Sequence, residues 1–186
     1  MTESVELQSA INACLRGGVI AYPTESVFGL GCLPNNRNAV EKILAFKNRS
    51  ADKGLICIAA EISQLDSMVD FSAIPNVDSI FSTWPGPVTW LIPALSSTPK
   101  WLTGVHDTLA VRVSADPIVR SLCLEVGPLV STSANPEGMP PAYDSAQVRK
   151  YFKEKLDFII EASLSTDNLP TEIRHGVTGE IIRNSN

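Results

Sequence analysis

Polar side chains that could hold an anionic substrate occur in several short groups, most of them next to predicted strand ends. They combine cations, hydroxyls and one amide, without an obvious general base. Such a set suits phosphoryl or nucleotidyl transfer, which depends mainly on positioning and on charge neutralisation. Arginine adds bidentate hydrogen bonds to carboxylates, which lysine cannot make. The candidate residues are Thr24, Ser26, Lys47, Arg49, Lys53, Arg112, Ser131, Ser133, Asn135, Thr171 and Arg183.

The sequence lacks the motifs of several common enzyme classes. It contains no G-x-x-x-x-G-K-[ST] loop, no G-x-G-x-x-G and no G-x-S-x-G. Its two histidines, His106 and His175, have no sequence context that supports a Ser-His-Asp hydrolase. The four cysteines are widely spaced in apolar surroundings. We therefore expect reduced core cysteines and no protein-only metal site.

The first group of polar residues follows a predicted strand. Residues 18–22 form an apolar run that ends at Pro23, which cannot donate to a sheet ladder. The next residues mix hydroxyls, Glu25 and two glycines. A polar loop directly after a buried strand is a common position for a ligand site in α/β proteins. For this stretch alone, an ordinary surface turn is the alternative.

A helix is predicted next, with Asn38 and Glu41 as a capping box. Its apolar face contains Val40, Ile43 and Leu44. Lys47 lies seven residues after Val40, which places it only about 20° away around a helix. A cation therefore continues the apolar face at the end of the helix. Lys47 either complements the helix dipole there or points inward at a ligand.

Three further apolar runs, over 54–60, 88–92 and 109–113, predict strands, and a polar turn over 131–135 follows Leu129 and Val130. Arg112 lies inside the third run. An unpaired charge in an apolar strand is costly, so Arg112 needs a partner. We take that partner to be the carboxylate of a ligand.

The remaining pattern predicts one α/β domain over residues 1–186. Helices are expected at 5–15, 62–69, 77–84, 117–123 and 145–152, with Asp116 and Asp144 beginning the last two. Strands are expected at 156–160 and 180–183, with a polar loop between them. Interleaved strands and helices favour an open twisted sheet with flanking helices. Some connections are too short for parallel crossovers, so the sheet should be mixed.

Charge and hydropathy limit the classes of partner. The formal net charge of −5 disfavours a generic polyanion binder. Residues 42–53 nevertheless hold four cations and one acid, a net charge of +3, for which a solvated basic face is the alternative interpretation. No apolar run approaches the ~20 residues that a membrane span needs. The N-terminus lacks the features of a secretion signal, so we expect a cytoplasmic protein with no membrane partner.

Five motifs in this order closely resemble those of the YrdC-type threonylcarbamoyl-AMP synthases. They are AYPTESVFGLG at 21–31, KNR at 47–49, WPGP at 84–87, AVR at 110–112 and STSAN at 131–135. The resemblance covers almost the whole chain, in the short single-domain bacterial form. It implies a large twisted open α/β sheet with a positively charged concave face.

The resemblance also implies an activity and its partners. L-threonine, bicarbonate and ATP, with Mg²⁺ on the triphosphate, would give threonylcarbamoyl-adenylate and pyrophosphate. The product would feed modification of the adenosine beside the anticodon of tRNA, through downstream threonylcarbamoyl-transfer proteins. A contact of tRNA or other RNA with the basic face is a further expectation. The alternatives are an RNA-binding module and a carbamoyltransferase that works through a carbamoyl-adenylate.

The family's site residues fall on matching positions of this chain. Its catalytic set falls on Lys47, Arg49, Ser133 and Asn135. Its threonine contacts fall on Ser26, Arg112, Ser131 and Thr171. Its ATP contacts fall on Arg49, Lys53, Thr108, Ser133, Pro141 and Arg183. The chain departs from the family pattern at several positions. Ser26 stands where many relatives have Thr, and Pro141 lacks the hydroxyl that is frequent there. Lys53 and Ile58 stand where another branch has Asn and His, and Pro136 and Glu137 replace a more usual Leu-Ser.

Overall fold

Nine strands form one continuous sheet in the computed structural model, which describes residues 2–165 and 171–184. Across the sheet their order is β7-β1-β2-β6-β3-β5-β4-β8-β9. The strands are β1 (Ile20–Tyr22), β2 (Gly29–Cys32), β3 (Ile56–Ala59), β4 (Val88–Pro93), β5 (Thr108–Val113), β6 (Leu129–Ser133), β7 (Phe158–Ile159), β8 (Glu172–His175) and β9 (Ile181–Arg183).

The sheet is mixed, as the short connections predict. β1 pairs with β7, β3 with β5 and β4 with β8 in parallel, and the other neighbouring strands are antiparallel. β6 is antiparallel to both β2 and β3, with Ser133 opposite Gly29 and Ser131 opposite Ile56. This central strand therefore brings residues 129–133 beside two segments that lie far away in the sequence.

Six α-helices flank the sheet within the described ranges. They are α1 (Thr2–Leu15), α2 (Arg37–Lys47), α3 (Val77–Phe81), α4 (Lys100–Thr103), α5 (Pro117–Val126) and α6 (Ser145–Phe152). In the part of the chain that is described, no helix combines the length and the apolar character that crossing a membrane requires.

Strand alternation divides the core into two clusters. In β1, Ile20 and Tyr22 join the cluster that includes α1 and α5, whereas Ala21 belongs to the larger cluster that includes α2. This division follows from the period of two along a strand. The four cysteines are buried and unpaired, as predicted, and burial raises the pKa of each thiol.

The predicted capping box at the start of α2 is wrong. Asn36 is the N-cap, and its side-chain oxygen accepts a hydrogen bond from the N–H of Ala39 at 3.1 Å. Asn38 is instead exposed within the first helical turn, and Glu41 pairs with Arg37. Asn36 and Asn38 have the same capping chemistry, so the preceding chain path decided which one begins the helix.

Several other predictions need correction. The helix expected at 62–69 is only a short 3-10 helix over Ile62–Leu65, and residues 29–31 of the polar loop after β1 belong to β2. Residues 131–133 belong to β6 and are not part of a turn. The predicted polar loop between 160 and 180 contains β8, although residues 166–170 of that loop lie outside the described residues. β8 was not predicted because it contains only one apolar residue, beside Glu172, Arg174 and His175. It is also only half-buried, and its pairing with β4 comes from the tertiary structure.

The N-cap can be tested by replacing each asparagine separately. Asn36→Ala should lower the free energy of unfolding by ~1 kcal/mol, because the N–H of Ala39 loses its acceptor. Asn38→Ala is the matched control and should leave stability unchanged or slightly higher, since alanine is the better helix former. Urea unfolding of the three proteins measures the difference. An equal loss in both variants would contradict the assignment.

Candidate active site

An open cleft of about 480 Å³ lies on one face of the sheet. β5 contributes Ala110 and Arg112 to it, while Leu109 and Val111 point into the larger core on the opposite face. Residues 131–133, which were expected to form part of a polar turn, belong to β6, and Ser131, Thr132 and Ser133 all line the cleft. In β5 the strand period therefore separates Thr108 and Arg112, which line the cleft, from Leu109 and Val111, which pack in the core.

Most of the predicted site residues meet in this cleft. Those that line it are Ser26, Arg49, Lys53, Thr108, Arg112, Ser131, Ser133, Pro141, Thr171 and Arg183, together with Thr24. Lys47 and Asn135 are not among the lining residues. His106 and Thr103 do line it, although nothing in their sequence context indicated a site.

The loop between β1 and β2 is shaped by its own polar groups. The hydroxyl of Thr24 donates to the carbonyl of Val27 at 2.7 Å and accepts from the N–H of Ser26 at 3.2 Å. Just before β2, the N–H of Phe28 donates to the carbonyl of Ala142, and the carbonyl of Phe28 accepts from the N–H of Ala134. These bonds hold Ser26 in a buried position at the cleft.

Lys47 ends α2 and is buried, as its helical phase predicted. Its ammonium points inward, to the carbonyls of Ser133 and Asn135 at 2.5 and 2.7 Å and to Asn135 Oδ1 at 3.2 Å. Three acceptors match the three donors of an ammonium. The contacts are with the end of β6, so the structure assigns Lys47 a part in positioning that segment.

Asn135 completes this connection. Its side-chain oxygen accepts from Lys47, while Nδ2 donates to the carbonyl of Met139 at 2.6 Å and to that of Pro136 at 3.3 Å. The side chain thereby ties the end of β6 to the loop over 136–142, which supplies Pro141 to the cleft.

Three cations lie around Glu137. Lys53 forms an ion pair with Glu137 at 3.0 Å, and both side chains are about half exposed. Arg49 donates from Nη2 to the carbonyl of Gly54 at 3.0 Å, while its Nε is buried and makes no hydrogen bond within the described residues. Burial lowers the pKa of Arg49 and, with the charge of Arg49, lowers that of Lys47 to about 8, whereas Glu137 opposes both shifts. Lys42 is exposed and does not line the cleft.

Arg112 has a partner within the protein, contrary to the expectation that a ligand must supply it. Its Nη2 lies 3.6 Å from Glu25 Oε2, and its Nη1 donates to the hydroxyl of Thr171 at 3.0 Å. The carbonyl of Thr171 accepts from Arg183 through Nε and Nη2. The sequence analysis missed Glu25 as a site residue, although it is the carboxylate in the polar loop after β1.

The register of the strands gives the cleft two polar ends. Ser131 lies opposite Ile56, which pairs with Ala110, so Ser133 and Thr108 lie near one end with Arg49 and Lys53. Arg112 is four residues further along β5, about 13 Å away at about 3.3 Å per residue. One end can hold phosphates, and the other can hold a carboxylate between Arg112, Ser26 and Thr171.

The fold and the cleft define an α/β protein with an open mixed sheet and a cleft lined by arginine, lysine and hydroxyl side chains. The family model described as "Telomere recombination" (Sua5/YciO/YrdC) matches residues 12–185. This match covers most of the chain, which therefore belongs to the Sua5/YciO/YrdC family.

Individual relatives agree with this assignment. The chain is 49% identical over 185 residues to a threonylcarbamoyl-AMP synthase of Pseudomonas fluorescens strain Pf-5, and the match covers 100% of both chains. The crystal structure of P. abyssi Sua5 complexed with L-threonine is similar with a TM-score of 0.83 and 31% identity, over 91% of this chain and 50% of that one. This chain thus spans about half the length of that relative. E. coli YciO shares the fold, with a TM-score of 0.81 and 24% identity over 98% and 91% of the two chains.

The lowered pKa of Lys47 predicts how the stability of the protein depends on pH. Below pH 8 the folded and unfolded states both hold this proton, whereas between about pH 8 and the ordinary value of 10.5 only the unfolded state does. The contribution of Lys47 to the free energy of unfolding should therefore rise with pH across this window. Lys47→Met removes the titrating group. The free energy of unfolding of the wild type should therefore rise relative to that of this variant between pH 8 and 10.

Urea unfolding of both proteins at pH 7, 8, 9 and 10 measures this difference. Lys42→Met controls for the replacement of a lysine on the same helix, since Lys42 is exposed. A difference between the wild type and Lys47→Met that stays constant over this range would contradict the lowered pKa.

Proposed function

We propose that this protein is a threonylcarbamoyl-AMP synthase, which converts L-threonine, bicarbonate and ATP into threonylcarbamoyl-adenylate and pyrophosphate. The observation that carries the proposal is the full-length similarity to a synthase of that name. The two polar ends of one cleft support it, because the reaction joins an amino acid that carries a carboxylate to a nucleotide that carries phosphates. The similarity over the full chain favours this enzyme over an RNA-binding module.

In the proposed reaction, the amine of threonine and bicarbonate form a carbamate with loss of water. A carbamate oxygen then attacks the α-phosphorus of ATP in line, and pyrophosphate leaves. The carbamate is already anionic, so the attack needs no strong general base. This requirement fits a cleft rich in cations and hydroxyls, where catalysis comes from positioning and charge neutralisation.

We assign the phosphate end to Arg49, Lys53 and Ser133, with Thr108 and Pro141 as further contacts of the nucleotide. Arg183, which donates to the carbonyl of Thr171 next to Arg112, would contact the nucleotide from the other end. Arg49 is suited to the phosphate end because its Nε is buried at the cleft with an unused donor. Lys47 and Asn135 act on the same end by holding Ser133 and the loop over 136–142. Lys53 must exchange its ion pair with Glu137 for a phosphate.

We assign the carboxylate end to Arg112, with Ser26, Ser131 and Thr171 as the hydroxyl contacts of threonine. All four residues are buried and line the cleft. A buried arginine that keeps an unused Nε donor can bind a carboxylate by donating two hydrogen bonds to it. Similarity to Sua5, which was crystallised with L-threonine, supports a threonine site in this cleft.

Mg²⁺ would enter as the complex with ATP, where it neutralises triphosphate charge. In the described part of the chain, no cluster of three histidine, cysteine or acidic side chains could hold a metal ion by itself. The adenylate would serve tRNA modification in the cytoplasm, through proteins that transfer the threonylcarbamoyl group. The basic residues at the cleft would also allow a direct contact with tRNA.

The substrate requirement tests the proposal. Release of pyrophosphate from ATP should need both L-threonine and bicarbonate, because the nucleophile is the carbamate formed from them. Mass spectrometry of the complete mixture should detect threonylcarbamoyl-adenylate. Equal release of pyrophosphate without threonine would identify a simple ATPase and remove the synthase from consideration.

The carboxylate end can be tested with Arg112→Lys, which keeps the charge and loses the bidentate fork. We expect weaker binding of L-threonine by roughly 1–3 kcal/mol, the range for a lost charge-assisted hydrogen bond, with little change in ATP binding. Isothermal titration calorimetry with each ligand measures both affinities. Loss of ATP affinity with retained threonine affinity would show that the two ends are assigned the wrong way round.

A further inference from the structure

Glu25 connects the loop that carries Ser26 with the turn that follows Arg112 in the chain. It belongs to the loop between β1 and β2, next to Ser26, and its carboxylate reaches the turn between β5 and α5. Oε1 accepts from the hydroxyl of Ser114 at 2.5 Å and from the N–H groups of Ala115 and Asp116 at 2.8 and 3.2 Å. The side chain is only 16% exposed.

The two oxygens of this carboxylate have different surroundings. Three donors hold Oε1. Oε2 is buried, makes no hydrogen bond within the described residues, and faces Nη2 of Arg112 at 3.6 Å. Because Oε1 is fixed, the direction of Oε2 is fixed as well. Glu25 therefore presents a negative charge to the guanidinium from a constant position.

The length of this ion pair determines which hydrogen-bond donors of Arg112 remain available for a ligand. At 3.6 Å the contact attracts the guanidinium but exceeds the distance of a good hydrogen bond. A bidentate pair would have used the fork that a substrate carboxylate needs. With Nη1 on Thr171 and Nε unused, Arg112 is held by charge and still keeps donors for a ligand.

Glu25 has the charge that this arrangement requires. Burial favours the neutral carboxyl group, but Arg112 and the hydrogen bonds from Ser114 and Ala115 outweigh burial and lower the pKa of Glu25 below its ordinary value. Asp116 also faces this region, and its pKa is raised by burial and by the charge of Glu25. Arg112 and Arg183 are the cations on the cleft side.

We propose that Glu25 is a positioning residue for the amino-acid substrate: anchored through Oε1, it orients Arg112 by charge and fixes the loop that carries Ser26. This inference rests on the proposed function, because it takes the carboxylate end to be the threonine site. Glu25 acts through Arg112 and Ser26 and needs no contact of its own with the substrate.

The test compares Glu25→Gln with Ser114→Ala and Arg112→Lys. Glu25→Gln keeps an oxygen for the N–H groups of Ala115 and Asp116 but removes the charge that faces Arg112. The KM for L-threonine should rise by about tenfold or more, with the KM for ATP and kcat changed less than about threefold, where tenfold corresponds to 1.4 kcal/mol. Ser114→Ala removes one anchoring donor and keeps the charge, so it should shift the KM for threonine by less than about threefold.

The double variant shows whether Glu25 acts through Arg112. In the Arg112→Lys background, Glu25→Gln should change the KM for threonine much less than it does alone, because the guanidinium that it orients is gone. Fully additive effects would overturn the proposal. So would a lower melting temperature with equal rises in both KM values, since this pattern describes a structural tie between loop and turn.

Calorimetry of L-threonine without ATP separates this inference from the proposed function. If the wild type binds threonine and Glu25→Gln binds it equally well, the inference is wrong and the synthase assignment stands. If the wild type neither binds threonine nor forms the adenylate, the proposed function fails, and the inference fails with it. The expected result is binding by the wild type and at least about tenfold weaker binding by Glu25→Gln, again about 1.4 kcal/mol.

Discussion

The buried ammonium of Lys47 requires three oxygen acceptors, and the end of β6 supplies them. A buried cation without partners would be strongly destabilising, so the end of α2 and the end of β6 must lie together. This contact fixes Ser133 and Asn135, and Asn135 in turn fixes the loop over 136–142. One wall of the cleft therefore depends on the satisfaction of a single buried charge.

The same constraint applies at the opposite end of the cleft. Arg112 is buried in β5, where Glu25 provides the compensating charge and Thr171 an acceptor. Each end thus contains one buried cation, Lys47 or Arg112, and in each case the protein itself supplies the partner. Preorganised charge of this kind has little left to reorganise when an anionic ligand enters, which is the usual physical basis of electrostatic catalysis.

β6 lies between β2 and β3, and residues of all three strands line the cleft. Because β6 is antiparallel to both β2 and β3, its hydroxyls lie between the glycines of β2 and the start of β3. Gly31 permits this packing, since a Cβ there would lie 2.6 Å from the ring of Tyr22 and 2.9 Å from the carbonyl of Val130. The polar groups of β6 can therefore lie level with those of β5 on one open face of the sheet.

The sequence alone determined most of the strands, the mixed sheet, the place of Lys47 on the apolar face of its helix and the chemical character of the site. These follow from local properties: apolar runs, helical phase, and the energetic cost of an arginine in an apolar strand. The sequence left open whether the ammonium of Lys47 caps the helix or points inward, and the tertiary structure decided this. Tertiary structure decided which asparagine caps α2, that the polar segment 172–175 is a strand, and that Glu25 is the partner of Arg112. None of these three features leaves a local pattern in the sequence. The two asparagines have the same capping chemistry, and the strands and the contacting groups lie far apart in the chain, some ninety residues in the case of Glu25 and the turn after β5. The free energy of such contacts arises only when the chain has folded.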